Sequence, residues 1–203
     1  YWDLWLPKLR PMPFTKPHPH MIRACSGEDS AMEMAQQGRP FMMNVQTDEI
    51  TKQRMDLYRK TMSNSGFDDA HVAAAVDDTW VLRNIFIAET DAEAERIGVP
   101  LFEEQRVQRA KMRGHIMATR GESMAKPGET GAAPVAARNV IEHSLICGSP
   151  ATVAERLAKI DAIGVGGVIL QFRIGPAPYE RTENSIRLFM NKVASEFKAK
   201  VAA

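Results

Sequence analysis

The C-terminal third of the chain most constrains the fold. Ser149 and Pro150 precede the amphipathic stretch VAERLAKI, and a glycine-rich turn at Gly164–Gly167 leads into the apolar run Val168–Phe172. Serine is a favourable N-cap and proline is tolerated in a first turn, so the stretch is predicted to be a helix. An uninterrupted apolar run after a glycine turn predicts a strand buried on both faces. With a final helix from about Glu183 to Phe197, the segment is predicted to form one α-β-α unit of a parallel sheet.

Two polar residues lie where this strand is predicted to end, Gln171 and Arg173. Ligands of parallel α/β folds bind at the carboxyl ends of the strands. We therefore treat Gln171 and Arg173 as candidate binding residues. The alternative is that they only solvate the end of the strand.

Three earlier apolar runs are each followed by a helical stretch. These strand–helix pairs are Met21–Cys25 with a helix ending at Gln37, Phe41–Val45 with Asp48–Ser65, and Thr79–Ala88 with a helix that starts near Asp91. Four strands alternating with helices predict an α/β fold with a parallel sheet, either doubly wound or part of a (β/α)8 barrel. A barrel typically needs about 250 residues, and the chain opens at Tyr1 in a proline-rich loop, so we expect an upstream part.

The alternation fails between Gly98 and His143. The amphipathic piece Leu101–Met112 runs into Gly114–Pro134, which holds four glycines and two prolines and has little to bury. Long excursions of this kind are functional loops or disordered segments. We expect a mobile insert at 98–143 that closes over the ligand face, where its Lys and Arg residues meet an anionic ligand; plain disorder is the alternative.

The composition excludes several classes of partner and location. The 26 Lys and Arg residues nearly cancel the 25 Asp and Glu residues, without a basic block. We therefore expect neither nucleic acid nor a membrane as a partner. No apolar run approaches the roughly 20 residues that span a bilayer, and no signal peptide is recognisable. These observations predict a cytoplasmic protein.

The turn after the first predicted strand is a candidate anion site. Ser26, Gly27 and Ser30 lie between a strand and a helix, where free backbone N–H groups and the helix dipole favour a phosphate. The alternative is that Ser26 caps the helix and Gly27 permits a tight turn. The motif is weaker than a P-loop, and no dinucleotide-binding glycine pattern is present.

Arg83 and Asn84 in the third predicted strand are weak candidates for catalysis. Neighbouring strand residues point to opposite faces, so only one of the two faces inward. A buried arginine needs an acidic partner or a bound anion. The two cysteines, Cys25 and Cys147, lack metal-ligand spacing and are predicted to be reduced, buried thiols. Because no catalytic triad, carboxylate pair or metal site is recognisable, we expect cofactor chemistry.

Four segments in this order resemble the second half of the bacterial luciferase-like flavin monooxygenases. They are PFTKPHPHMIRACSGEDSAMEMAQQGRPF, LRNIFIAETDAEA, SLICGSPATVAERL and VILQFRIGPAPYERTENSIRLFMNKV. The resemblance spans Pro11 to Phe197 and implies a (β/α)8 TIM-type barrel, of which residues 1–203 form strands five to eight. It also implies a reduced flavin at the carboxyl ends of the strands, with its phosphate held by Ser26, Gly27 and Ser30. The turn is one residue longer here than is usual, and Asn84 stands where some members carry a catalytic histidine.

The resemblance implies an FMN-dependent monooxygenase. Reduced FMN from a separate NAD(P)H:flavin reductase would react with O2 to give a flavin peroxide that oxygenates a small organic substrate. The full-length chains would form homo- or heterodimers, and the fragment alone would be inactive. The alternatives are an F420-dependent oxidoreductase on the same barrel, and a non-catalytic flavin-binding or scaffold half-barrel.

Overall fold

The computed structural model describes residues 10–16, 19–25, 27–120 and 145–197. Within these ranges the chain forms five strands and seven helices. The strands are β1 (Arg23–Cys25), β2 (Phe41–Met43), β3 (Trp80–Ile87), β4 (Leu145–Gly148) and β5 (Gly167–Gln171). The helices are α1 (Glu28–Gln36), α2 (Asp48–Asn64), α3 (Asp69–Asp77), α4 (Asp91–Thr119), α5 (Pro150–Asp161), α6 (Tyr179–Lys192) and α7 (Ala194–Phe197).

All five strands form one parallel sheet, as the alternation of strands and helices predicted. β1 pairs with β2, and β2 pairs with the start of β3. β5 also pairs with Trp80 and Val81 of β3, so β2 and β5 lie on opposite edges of that strand. β4 pairs with residues 84–87 at the carboxyl end of β3. The sequence analysis predicted four of these five strands. The strand that it did not predict is β4.

Side-chain caps lie at the starts of four helices. The hydroxyls of Thr47, Thr90 and Ser149 accept hydrogen bonds from backbone N–H groups in the first turns of α2, α4 and α5. The Asp68 carboxylate caps α3 in the same way. Each cap satisfies one N–H that the helix itself leaves unpaired. By contrast, the residue before α1 is Gly27, which provides no side-chain cap.

The two faces of the sheet are covered differently. Alternate strand residues, among them Phe41, Met43, Val81 and Ile85, are fully buried against the helix layer in the larger core cluster. On the opposite face, Phe86 lies under α4 in a second cluster. A Cβ added to Gly98 of α4 would lie 2.8 Å from the Phe86 ring, so the missing side chain permits this close approach.

Three expectations need correction or qualification. All residues of β5 are half-buried, not buried on both faces, because β3 is the one described strand that pairs with β5. The predicted final helix starts earlier, at Tyr179, and is interrupted at Val193. The first part of the expected insert, up to Thr119, is helical in α4, whereas residues 121–144 lie outside the described residues. The mobility of the insert therefore stays a prediction.

None of the described helices combines the length and apolar character needed to cross a bilayer. α4 is long enough but carries charges along its length. In the described ranges, no group of three or more His, Cys, Asp or Glu side chains is placed to hold a metal ion.

Candidate functional site

The carboxyl ends of the strands form one edge of the molecule because the strands are parallel. The connections that leave this edge start after Cys25, Met43, Ile87, Gly148 and Gln171. Two of them are joined by a hydrogen bond from the Ser149 N–H to Asp91 Oδ1 at 2.6 Å, which lowers the pKa of the Asp91 carboxyl below its usual value. In parallel α/β folds this edge is where ligands bind.

The N-terminus of α1 lies at this edge and is open. A Cβ built on Gly27 would meet no atom within 4 Å, and no side chain caps the first-turn N–H groups. These groups and the helix dipole suit an oxyanion such as a phosphate. Two exposed carboxylates in the same turn, Glu28 and Asp29, oppose this attraction. The binding of an oxyanion here therefore depends on the backbone N–H groups of the first turn.

Ser30 lies in the first turn of α1. Its hydroxyl donates a hydrogen bond to the Gly27 carbonyl at 3.0 Å, and its own carbonyl accepts one from the Cys25 thiol. The second contact fixes the start of α1 to the end of β1. Ser30 and Gly27 are thus adjacent at the candidate anion site, while Ser26 lies outside the described residues.

An open apolar surface adjoins this helix start on the sheet face opposite the helix layer. It is a concavity of about 240 Å³ at the carboxyl ends of β1 and β2. Its lining is Ala24, Cys25, Met42, Met43, Asn44 and Leu82. Ligand pockets usually enclose roughly 300–1,000 Å³, so this concavity suits one part of a larger ligand. A flat apolar ring with an anionic tail fits the combination of sheet face and helix start.

Gln171 and Arg173 lie at the same edge but on the far strand. Gln171 is half-buried and donates a hydrogen bond to the Arg173 carbonyl at 3.2 Å, and the Arg173 side chain is exposed. β1 and β5 are separated by β2 and β3, which corresponds to about 14 Å at about 4.8 Å per strand. The structure therefore places these residues and Ser30 at one edge without bringing them into contact.

The Arg83 side chain faces the helix layer, and in the sheet Arg83 pairs with Leu170, one residue before the end of β5. Its side chain is 2% exposed, and Nη2 bonds to Asp48 Oδ1 at 3.0 Å and to Thr51 Oγ1 at 2.9 Å. Burial lowers the pKa of the guanidinium from its ordinary value, and the hydrogen bond with Asp48 partly offsets that effect. Asp48 is the acidic partner that a buried arginine was predicted to need.

Asn84 is also buried, at 1% exposure, and by strand alternation it lies on the opposite face from Arg83. That face is the one on which the open concavity and α4 lie. Cys25 is buried and Cys147 half-buried, and both thiols are free. Burial raises the pKa of the Cys147 thiol to about 12, so it is not a nucleophile at neutral pH.

One polar residue of this region, Gln105 on α4, was not predicted from the sequence. It is 7% exposed, and its Oε1 accepts a hydrogen bond from the Gly175 N–H at 2.7 Å. Gly175 follows β5 and has a φ of +53°, and a Cβ there would overlap the Leu101 carbonyl oxygen. The signal in the sequence that could have identified Gln105 is its position as a polar residue within the amphipathic piece Leu101–Met112.

Solved structures show the same fold at low sequence identity. The monooxygenase RslO1 from Streptomyces bottropensis is 24% identical, with a TM-score of 0.63 over 90% of this chain and 50% of its own. The oxygenating constituent of 3,6-diketocamphane monooxygenase from Pseudomonas putida, solved with FMN, is 17% identical, with a TM-score of 0.57 and coverages of 88% and 49%.

The F420-dependent tetrahydromethanopterin reductase from Methanopyrus kandleri is 17% identical, with a TM-score of 0.54 and coverages of 86% and 50%. The chain thus spans about half the length of the solved structures that it matches. Its parallel sheet is consistent with part of a (β/α)8 barrel. A comparison with curated protein sequences gives no match.

The sequence pattern described as luciferase-like monooxygenase matches residues 3–166, which is most of the chain. The resemblance to this family is thereby confirmed, and the match covers the first three of the four segments, since the fourth begins at Val168. The chain belongs to the luciferase-like monooxygenase family.

Proposed function

We propose that the protein is a monooxygenase that uses reduced FMN and O2 to oxygenate a small organic substrate. The observation that carries this proposal is the uncapped, open start of α1 beside an apolar sheet face at the carboxyl ends of the strands. The family and the neighbour solved with FMN support the same reading. The bound flavin would supply the redox chemistry that no described side-chain set provides.

Each part of the site has a distinct role in this proposal. The first-turn N–H groups of α1, with Gly27 and Ser30, would hold the phosphate, and Ser26 would join them. The surface formed by Ala24, Met42 and Leu82 would hold the ring and exclude water from it. Gln171 and Arg173 would contact the opposite end of the bound molecules.

The complete protein would contain the other strands of a closed barrel. Closure would cover the free edges of β1 and β5, which otherwise invite self-association. We further propose a separate NAD(P)H:flavin reductase as the source of reduced FMN, a dimer of full-length chains, and a location in the cytoplasm.

The test is a fluorescence titration of FMN into the full-length protein and into Ser30→Ala. On binding, the Ser30 hydroxyl would turn from the Gly27 carbonyl to the phosphate. Loss of that charge-assisted hydrogen bond costs about 1.5–3 kcal/mol, so the dissociation constant should rise about ten- to a hundredfold at 1.4 kcal/mol per decade. Ser63→Ala is the matched control, because the Ser63 hydroxyl also donates to a carbonyl of its own exposed helix, that of Arg59 in α2. FMN affinity that is unchanged in Ser30→Ala, or equally weakened in Ser63→Ala, would contradict the phosphate assignment. Preferential binding of F420 would identify the alternative cofactor.

A further inference from the structure

We propose that the face of α4 from Gln105 to Arg113 binds an oxyanion group of the substrate, which makes the substrate a small organic anion of the carboxylate class. This inference rests on the proposed function, because it treats the ligand at the carboxyl edge as the molecule that is oxygenated. It adds a binding subsite and a substrate class.

The buried amide of Gln105 is the first observation. The Gly175 N–H donates to Oε1, which fixes the orientation of the amide and leaves the Nε2 group facing away from that contact. Among the described residues Nε2 has no hydrogen-bond partner, although the side chain is only 7% exposed. A buried donor without an acceptor is costly. An acceptor oxygen of a ligand would remove that cost.

The position of Gln105 places this donor at the carboxyl edge. Phe102, one turn earlier on α4, shares a core cluster with Ile174, which follows Arg173 at the end of β5. Gly175, which donates to Gln105, is the next residue after Ile174. This part of α4 therefore packs on the segment that leaves β5, and Gln105 marks the point where the packed part of the helix ends.

The charges that follow Gln105 are the second observation. Arg109 lies about one turn after Gln105 and therefore beside it on α4, and Arg113 lies about one turn further along the helix. Arg106, Arg109 and Arg113 line a shallow concavity of about 660 Å³ that also contains Val107 and Ala110. One carboxylate, Glu103, lies in the same lining, and Gln105 adjoins the concavity through Arg109 without lining it.

These arginines are not neutralised within the described part of the chain. None of the ion pairs there involves Arg106, Arg109 or Arg113. From Gln105 to Arg120 the sequence has five Lys and Arg residues and no Asp or Glu. Like charges four residues apart destabilise a helix, and a bound anion relieves that repulsion. Guanidinium groups suit carboxylates because they donate two parallel hydrogen bonds.

The experiment measures binding in the full-length protein by isothermal titration calorimetry, without reductant. The probes are sodium octanoate and octan-1-ol, which share a chain and differ in the charged group, and FMN in a separate titration. We expect octanoate to bind saturably and octan-1-ol to bind at least about tenfold more weakly, the difference that a charge-assisted contact makes. The octanoate affinity should weaken when the NaCl concentration of the assay is raised from 50 to 500 mM.

Three variants locate the anion. Arg109→Gln should weaken octanoate binding about tenfold. Gln105→Glu retains an acceptor for the Gly175 N–H but replaces the free donor with a negative charge, so it should weaken binding further. Lys111→Gln is the matched control, because it removes one charge from the same helix outside the concavity, and it should change the affinity less than about twofold. FMN affinity should be unchanged in all three variants.

Each contrary result overturns the inference. It is wrong if octanoate does not bind saturably, or if Lys111→Gln weakens octanoate binding as much as Arg109→Gln does. A parallel loss of FMN affinity in Arg109→Gln would assign the arginines to the cofactor and not to the substrate. The binding measurements are independent of turnover. A protein that binds octanoate as expected but oxygenates nothing in a separate activity assay would therefore refute the proposed function and leave this inference intact.

Discussion

Replacing Asp48 with alanine should destabilise the protein strongly, because it leaves the buried Arg83 without its acidic partner. Arg83 is 2% exposed, and Asp48, at 25% exposed, is its one charged partner at hydrogen-bond distance among the described residues, with Nη2 to Oδ1 at 3.0 Å. The substitution would leave a buried guanidinium with the neutral acceptors Thr51 Oγ1 at 2.9 Å and the Leu82 carbonyl at 3.1 Å. An unneutralised charge in such a site is costly.

The size of the effect follows from the asymmetry of the pair. Removing one partner of a buried ion pair costs about 3–5 kcal/mol. The two remaining acceptors place Asp48→Ala near the lower value, at about 3 kcal/mol. Arg83→Met leaves the carboxylate of Asp48, which is partly exposed and lies 3.7 Å from Arg156. We expect that variant to cost about 1.5 kcal/mol, the value of one hydrogen bond to a charged group.

Urea unfolding followed by circular dichroism measures both variants and the double variant. The double variant should be more stable than Asp48→Ala alone, because it removes the stranded charge. Equal losses in the two single variants, or additive losses in the double variant, would refute the argument that burial of Arg83 sets the cost.

Two further predictions concern the packing and the thiol. Gly166→Ala should lower the free energy of unfolding by about 3 kcal/mol, because a Cβ there would overlap the Asp77 carbonyl oxygen and force backbone apart, as urea unfolding would show; a neutral substitution would contradict it. The Cys147 thiol, with its pKa raised to about 12, should be alkylated by iodoacetamide at pH 8 far more slowly in the folded than in the unfolded protein. Since the unfolded thiol ionises near about pH 8.5, the contribution of Cys147 to stability should be complete below that pH and decline as the pH rises towards about 12. The melting temperature of Cys147→Ala should therefore fall less over that range than that of the wild type, and equal slopes would contradict this.

The elements with strong local signals were predictable from the sequence. β3 lies within one residue at each end of the predicted strand Thr79–Ala88, and Ser149 caps α5 as predicted. β4 was missed because its four residues, LICG, are too short to show a period. Its place in the sheet depends on pairing with β3, about 60 residues earlier in the sequence.

The candidate site was predictable only in part, for the same reason. The turn at Gly27 and Ser30 is local, so strand, turn and helix signals were sufficient to predict an exposed helix start. The partner of Arg83 lies 35 residues away, and the contact between Gln105 and Gly175 spans 70 residues. Contacts of this kind depend on how α2 and α4 pack on the sheet, which no local pattern specifies.

A crystal structure of the full-length protein with FMN tests the central claim most directly. The account predicts the phosphate at hydrogen-bond distance from the first-turn N–H groups of α1, beside Gly27 and Ser30. It also predicts the flavin ring against the sheet face that carries Ala24, Met42 and Leu82. A flavin bound elsewhere would contradict the account, for example in the cleft of about 450 Å³ between α4 and α6.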